Sequence, residues 1–418
     1  MDPPMTWAAR SSILHLTMSA AQPMHVVVAG AGVAGLEAAL ALRELAGDLV
    51  AVELVAPESE FRYRPLSVAE PYGYGEMRRF PLDRLVEATG ATLRTGSVSA
   101  LDADAKEVTL TDGTTIGYDT LLVATGVGAR EAVPGAVTFG GPGDREALGA
   151  LLDRAKAGEV KRIVFTRPPT PLWPLPLYEL AFQTAERLTD ELARGIQIVV
   201  ATPEPAPLEL FGRAASDEIA RLLEIRSIEF RPHVVPLRWE DGALHLAPGG
   251  SLEADAVVSL PRLVGEPIEG LPQDESGFVA TDELGWVLGL SDVYAAGDIT
   301  DFPVKQGGIA AEQADTVASA IAADAGAPVR PRTFEPVLRG LLLTGMYPRY
   351  LRSEHEGRAS AVDSQPLWWP PAKIVGRHLS PFLAEQLGLV VDVPPPAGHA
   401  VPVEVAIDTS DHAKWARV

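Results

Sequence analysis

Gly30-Ala31-Gly32-Val33-Ala34-Gly35 is the stretch on which the reading of this chain turns. Residues 25–29 before it are a short apolar run of strand character, and residues 33–45 after it are rich in Ala and Leu. In a chain with 38 glycines, a G-x-G-x-x-G hexapeptide alone is a weak signal. Placed between a strand and a helix, it has a mechanical meaning. Gly30 permits a tight turn, Gly32 lets a pyrophosphate approach the backbone, and Gly35 lets helix and strand pack closely. Val33 and Ala34 lie in the first helical turn, whose free N–H groups face an anion. The hexapeptide therefore predicts a dinucleotide site.

Working outward, strand and helix alternate, which predicts an α/β fold with parallel sheets covered on both faces. Strands are expected over 49–55, 93–100, 107–110 and 120–124, with a hairpin turn at Asp112-Gly113. A helix is expected over 80–89, with Pro81 in its first turn. A second βα series follows: a strand over 162–166, a helix over 177–194, a strand over 197–201, a helix over 214–225 and a strand over 257–260. A strand-and-turn unit at 291–298 then leads into a helix over 308–324. The expected layout is two Rossmann-like dinucleotide-binding domains. The first spans 24–150 and 266–327 and is interrupted by the second, over 155–262. Residues 330–418 form a small C-terminal region behind a Pro-rich linker at 328–336, and 1–23 read as a disordered tail in which Met18 or Met24 is an alternative start.

The fingerprint also expects an acid after the second strand, to hold ribose hydroxyls. Glu53 lies inside an apolar strand and Ala56 at its end, so Glu58 is the preferred candidate.

Composition narrows the function classes. The net charge of −21, from 35 basic and 56 acidic residues, repels phosphate backbones, so nucleic acid is not an expected partner. The chain has no cysteine, which excludes disulfides, thiolate nucleophiles and thiol-redox mechanisms. The eight histidines are scattered, and no metal site is expected. No apolar run reaches the roughly 18 residues of a membrane span, and the expected location is the cytoplasm, with at most peripheral contact at the inner face of the membrane.

Three further segments make the reading specific: Phe61-Arg62-Tyr63-Arg64-Pro65-Leu66, Thr120-Leu121-Leu122-Val123-Ala124-Thr125-Gly126 and Asp292-Val293-Tyr294-Ala295-Ala296-Gly297-Asp298. With the glycine loop, in this order, they resemble the FAD/pyridine-nucleotide oxidoreductase superfamily, and most of all its sulfide:quinone oxidoreductase and type II NADH dehydrogenase branch. The resemblance covers about residues 24–351 and implies FAD as cofactor. It implies that Gly297 and Asp298 meet the FAD ribityl or pyrophosphate, that Ala124, Thr125 and Gly126 pass beside the cofactor, and that the Val98 backbone faces the adenine. Arg64 and Pro65 would flank the isoalloxazine ring. Gly307, Gly308 and Ile309 would open a helix whose positive end faces the flavin pyrimidine, where a reduced flavin carries negative charge. Lys305 either adds a full positive charge there or is a surface lysine; it and Pro65 are the catalytic candidates.

The pattern breaks in the second series. Relatives that accept NAD(P)H carry a second glycine loop, whereas here the strand runs into Arg167-Pro168-Pro169-Thr170-Pro171-Leu172-Trp173-Pro174. Prolines lack N–H donors, so a pyrophosphate is poorly served, although Arg167 could attract a phosphate by charge. The sulfide branch shares a Pro-rich turn here but oxidises sulfide through cysteines, so that reaction cannot run in this chain. Trp173, Leu175, Leu177 and Tyr178 either line a pocket over the flavin or pack the domain core. Pro366-Leu367-Trp368-Trp369-Pro370-Pro371 precedes a stretch of helical character at 372–387, and suits either a quinone entry or a domain or homodimer interface. The function expected is transfer of two electrons from a small donor to a quinone-like acceptor. The alternatives are an NAD(P)H:acceptor reductase with an altered second site and an FAD-binding protein with a regulatory or assembly role.

Overall fold

The computed structural model describes residues 22–388 apart from 142, 346 and 355–358. The expected N-terminal tail up to residue 21 and everything after 388 lie outside the described residues. The main elements, in chain order, are β1 (Met24–Ala29), α1 (Val33–Leu45), β2 (Val50–Ala56), β3 (Glu60–Tyr63), β4 (Arg78–Pro81), α2 (Leu82–Thr89), β5 (Thr92–Thr95) and β6 (Thr120–Val123). Next come β7 (Val137–Thr138), α3 (Asp144–Lys156), β8 (Arg162–Thr166), α4 (Leu175–Asp190), β9 (Gln197–Ala201), α5 (Arg213–Ile225), β10 (Ile228–Arg231) and β11 (Ala256–Ser259). The chain continues through β12 (Val293–Ala295), α6 (Gly307–Asp324), β13 (Val337–Leu342), β14 (Arg349–Glu354), β15 (Ser360–Asp363) and α7 (Leu379–Gln386).

Two five-stranded parallel sheets organise the molecule. The first has the order β12-β6-β1-β2-β5 and the second β7-β11-β8-β9-β10. In the first, Val28 pairs with Leu54 on one side and Leu122 on the other. Such strands, buried on both faces, are continuous Val/Ile/Leu runs rather than alternating ones. Helices α1, α2 and α6 cover one face through Leu36, Leu42, Leu85, Val317 and Ile321. The other face packs on a layer containing Leu101, Val108, Ile116 and Val279. β12, which closes the first sheet, arrives only after the whole second sheet.

Two local expectations are corrected. Residues 80–81 are strand, and α2 starts at Leu82. Phe80 pairs with Phe61 in the β3–β4 hairpin, their rings 6.2 Å apart, so tertiary pairing claims the residues that helical spacing suggested. Residues 372–378 are not helical, and α7 starts at Leu379. Their N–H groups go elsewhere: Ile374 N to Tyr63 Oη (2.9 Å), Gly376 N to Ser380 Oγ (2.7 Å) and His378 N to Glu37 Oε1 (2.7 Å). This segment is a strap tied across the molecule by side chains.

Candidate active site

The carboxyl edge of the first sheet gathers stretches far apart in sequence. Gly30 has φ +114°, and a Cβ there would meet Ala124 O at 2.3 Å and Thr125 Cα at 3.1 Å. A Cβ on Gly35 would meet Gly30 O at 1.9 Å, so helix and turn are in backbone contact. Gly297 has φ +86°, and its Cβ would lie 3.1 Å from the Ala34 methyl and 3.5 Å from that of Ala310. Gly30, Ala34, Gly35, Ala124, Thr125 and Gly297 thus form one cradle. Gly32 has nothing within 4 Å of its Cβ position, and no side chain caps α1. Gly126, at φ +68°, is equally open.

Asp298 follows this cradle. Burial pushes its carboxyl up to about 6, against the pull of Lys305 and Arg64. It makes no hydrogen bond or ion pair to any described residue. A partly buried carboxylate without a partner, beside an uncapped helix N-terminus, suits a polyhydroxyl chain carrying a pyrophosphate. These residues therefore fit FAD.

The remaining candidates divide. Arg64 is exposed at the start of a 3₁₀ turn over Arg64–Tyr72, with the partly buried Pro65 at its first position. Pro65 carries neither an N–H nor a titratable group, so it can contribute only shape. Glu58 is exposed beyond β2, whereas Glu53 is buried and paired with Arg94 and His25. Val98 opens a strand, Val98–Asp102, partly buried next to the edge. At the N-terminus of α6, Ile309 N is already taken by Gln306 Oε1 at 3.2 Å, while Gly307 and Gly308 have no protein partner for their N–H groups among the described residues. Ile374 of the strap covers Gly307, 2.9 Å from its Cβ position. Lys305 is no surface lysine: it is 5% exposed, donates to Thr300 O and sits 3.8 Å over the Phe278 ring. Burial lowers its pKa to about 8, opposed by Asp298.

The equivalent edge of the second sheet is built differently. In α4, Leu177 N already bonds Pro174 O at 3.1 Å, and Pro176 has no N–H at all. Leu175, Leu177 and Tyr178 are buried in the core of this unit, and Trp173 packs edge-on against Phe211 at 5.6 Å. The acid after β9 is Glu204, 8% exposed. Tyr178 Oη donates to its Oε2 at 2.9 Å and Thr202 Oγ1 at 3.0 Å, while Oε1 is left without a partner. Burial raises the Glu204 pKa, against the pull of Arg167.

Two features had only a faint sequence signal. Lys373 on the strap makes a bidentate ion pair with Glu179 of α4, at 2.6 and 2.8 Å, with both side chains buried. The signal was a lone charge in each of two apolar runs. Glu37 of α1 accepts from His378 N and Leu379 N, and with Asp315 and His378 it forms a group whose ligand atoms lie within 4.8 Å of one another. Sequence scatter of the histidines hid that convergence. Glu37 serves there as the cap of α7.

Comparison with known proteins agrees with this geometry. Residues 24–163 match the family model of the pyridine nucleotide-disulphide oxidoreductases. Gly30, Ala34, Gly35, Ala124 and Thr125 of the cradle lie inside the matched stretch. The chain is an FAD-dependent oxidoreductase, with FAD as its cofactor. The NADH dehydrogenase-like protein MT1860 of Mycobacterium tuberculosis is 28% identical over 289 residues, 66% of this chain and 72% of that protein. The probable ferredoxin reductase CtmF of Castellaniella defragrans is 38% identical over 118 residues, 26% of this chain and 28% of that one. In fold, the chain is similar to the sulfide:quinone oxidoreductase of Aquifex aeolicus, with a TM-score of 0.72 and 19% identity, over 81% of this chain and 86% of that one. Among the described residues no helix is long and apolar enough to cross a membrane.

Proposed function

We propose that this oxidoreductase moves two electrons from a small donor other than a nicotinamide nucleotide to a quinone-like acceptor. The observation that carries the reading is the contrast between the two sheet edges. The first is open, glycine-lined and faced by a free carboxylate. The second has its helix start filled by prolines and its acid buried under Tyr178. The resemblance in fold to a quinone reductase supports the acceptor class.

When bound, FAD supplies the two-electron chemistry; the protein orients it and sets its electrostatics. In this reading, Gly30, Gly32, Val33, Ala34 and Gly35 hold the pyrophosphate, Glu58 the ribose and Asp298 the ribityl chain. Ala124, Thr125 and Gly126 line the cofactor, and Val98 backs the adenine. Arg64 and Pro65 flank the ring. Gly308 and Ile309 begin the helix whose positive end faces it. Lys305 acts at one remove, as a buried cation that biases the Asp298 carboxylate. Trp368 and Trp369, partly buried just ahead of the strap, shape the acceptor entry, with Trp368 anchored by Nε1 donation to Ala372 O at 3.0 Å and by edge contact with Tyr350 at 5.2 Å.

The test is an anaerobic titration of the purified protein with NADH and NADPH, following the oxidised-flavin band. The band is expected to persist with both nucleotides, to bleach with dithionite and to return on adding ubiquinone-1. Rapid bleaching by low-micromolar nucleotide overturns the donor class, and failure of the quinone to reoxidise the flavin overturns the acceptor class.

A further inference from the structure

Glu37, Asp315 and His378 come from α1, α6 and the strap, and none of them belongs to the glycine cradle. Glu37 is 0% exposed. Its two carboxylate oxygens each accept one backbone N–H, from His378 and Leu379 at 2.7 Å, and each keeps a further lone pair. Asp315 Oδ1 is buried and accepts no hydrogen bond. No lysine or arginine among the described residues pairs with either carboxylate. Two acids so placed cannot both stay ionised without a proton or a cation between them. Burial pushes the Asp315 carboxyl up, and the neighbouring Glu37 pushes it further.

His378 separates the proton from the cation. Its side chain is 12% exposed, and burial lowers its pKa against the pull of Glu44, so the ring is neutral near pH 7. Glu44 Oε2 lies 3.3 Å from Nδ1, which favours the tautomer protonated on that atom. The lone pair of Nε2 then faces Asp315 Oδ1 at 3.6 Å. Two opposed acceptors at that distance are too far apart for a proton to bridge them. Two ligands bound about 2.0–2.1 Å from a tetrahedral zinc ion stand about 3.3–3.4 Å apart. A carboxylate behind the distal nitrogen is also what orients a metal-bound imidazole. His378 and Glu44 open on a groove of about 600 Å³ between α1 and α7, from which water can complete the coordination. Imidazole beside carboxylate suits zinc and its transition-metal neighbours, whereas calcium and magnesium favour oxygen alone.

We propose that Glu37, Asp315 and His378 bind a divalent transition-metal ion of zinc's class, which ties the strap to α1 and α6. The site stands apart from the choice of electron donor and acceptor, so it is read in the oxidised, flavin-loaded protein. That protein is treated with EDTA, dialysed and titrated with zinc chloride by calorimetry at pH 7.5, with thermal melts alongside. One zinc per chain is expected, with Kd below about 10 μM, a rise in melting temperature that EDTA reverses, and no competition from a hundredfold excess of magnesium. His378→Phe and Asp315→Asn are each expected to weaken zinc at least about tenfold while flavin content stays unchanged. Glu37 is left in place because it caps α7. Should His378→Phe impair folding, Asp315→Asn carries the test, since it relieves the carboxylate contact and should melt no lower than the parent in EDTA. Absence of stoichiometric zinc binding, or zinc affinity unchanged in Asp315→Asn, overturns the proposal. So does a parent protein indifferent to zinc alongside an Asp315→Asn variant that melts higher in EDTA, which assigns the pair a shared proton instead.

Discussion

The two parallel sheets share a topology, yet their carboxyl edges have opposite designs. At the first, three glycines bring backbones together and leave α1 uncapped, so the helix end is free for an anion. At the second, prolines replace the glycines, α4 begins inside the core, and the acid after β9 is bonded by Tyr178 and Thr202. On the reading proposed above, the same fold yields a ligand site in one case and a packed support in the other, and what is left open decides which.

The largest effect on bound flavin, and the one that would break this contrast, comes from Gly35. A Cβ there meets Gly30 O at 1.9 Å, so Gly35→Val must push the helix off the turn. Overpacking of this kind costs about 1–3 kcal/mol or more, and it also displaces the cradle. Loss of bound flavin is expected, read as the ratio of flavin to protein absorbance. Retention of full flavin by this variant would show that the pyrophosphate is held elsewhere.

The second edge predicts a different kind of damage. Glu179 of α4 is buried against Lys373 of the strap, and burial raises the one pKa and lowers the other. Lys373→Met leaves a buried carboxylate unpaired, which costs about 3–5 kcal/mol. Lys373→Met with Glu179→Leu removes both charges and is expected to recover most of that loss. Thermal melts of the three proteins decide it. A double variant as unstable as the single one would mean that the pair contributes more than charge balance.

A smaller effect, of pH, belongs to the first edge. Burial holds the Asp298 carboxyl at about 6 in the folded protein, against about 3.9 in an unfolded chain. The unfolded chain therefore ionises first, and the folded state loses stability as pH rises from about 4 to about 6. The loss is on the order of 2–3 kcal/mol in the flavin-free protein and is absent below that window. Asp298→Asn should flatten this slope in melts of the apo-protein, and an unchanged slope would assign it to another group.

What the sequence disclosed follows the same division. The glycine loop, the parallel strands and the Gly297-Asp298 turn were legible because each depends on residues adjacent in the chain. The start of α2 was not, since Phe80 is claimed by Phe61, a residue on another strand. Nor was the strap, whose N–H groups are taken by Tyr63 and Glu37, more than 300 positions away. Lys305 was left open between surface and site, and only its contacts with Thr300 and Phe278 decided its burial. Local chemistry is written locally, whereas the closing of the second edge and the tying of the strap are long-range events.

The smallest effect tests the weakest element of the open edge. Glu58 is exposed and has no partner among the described residues, unlike Glu53, which is already engaged with Arg94 and His25. A hydrogen bond from ribose to an exposed carboxylate contributes about 0.5–1 kcal/mol, because water competes for both groups. Glu58→Ala should therefore weaken FAD by only about two- to fivefold, measured by reconstituting the apo-protein with FAD. FMN lacks the adenosine half and should be insensitive to the change. If FAD binding were unaltered, the ribose would have to be held by backbone at the end of β2, and the acid expected of this fold would have been dispensed with at both edges.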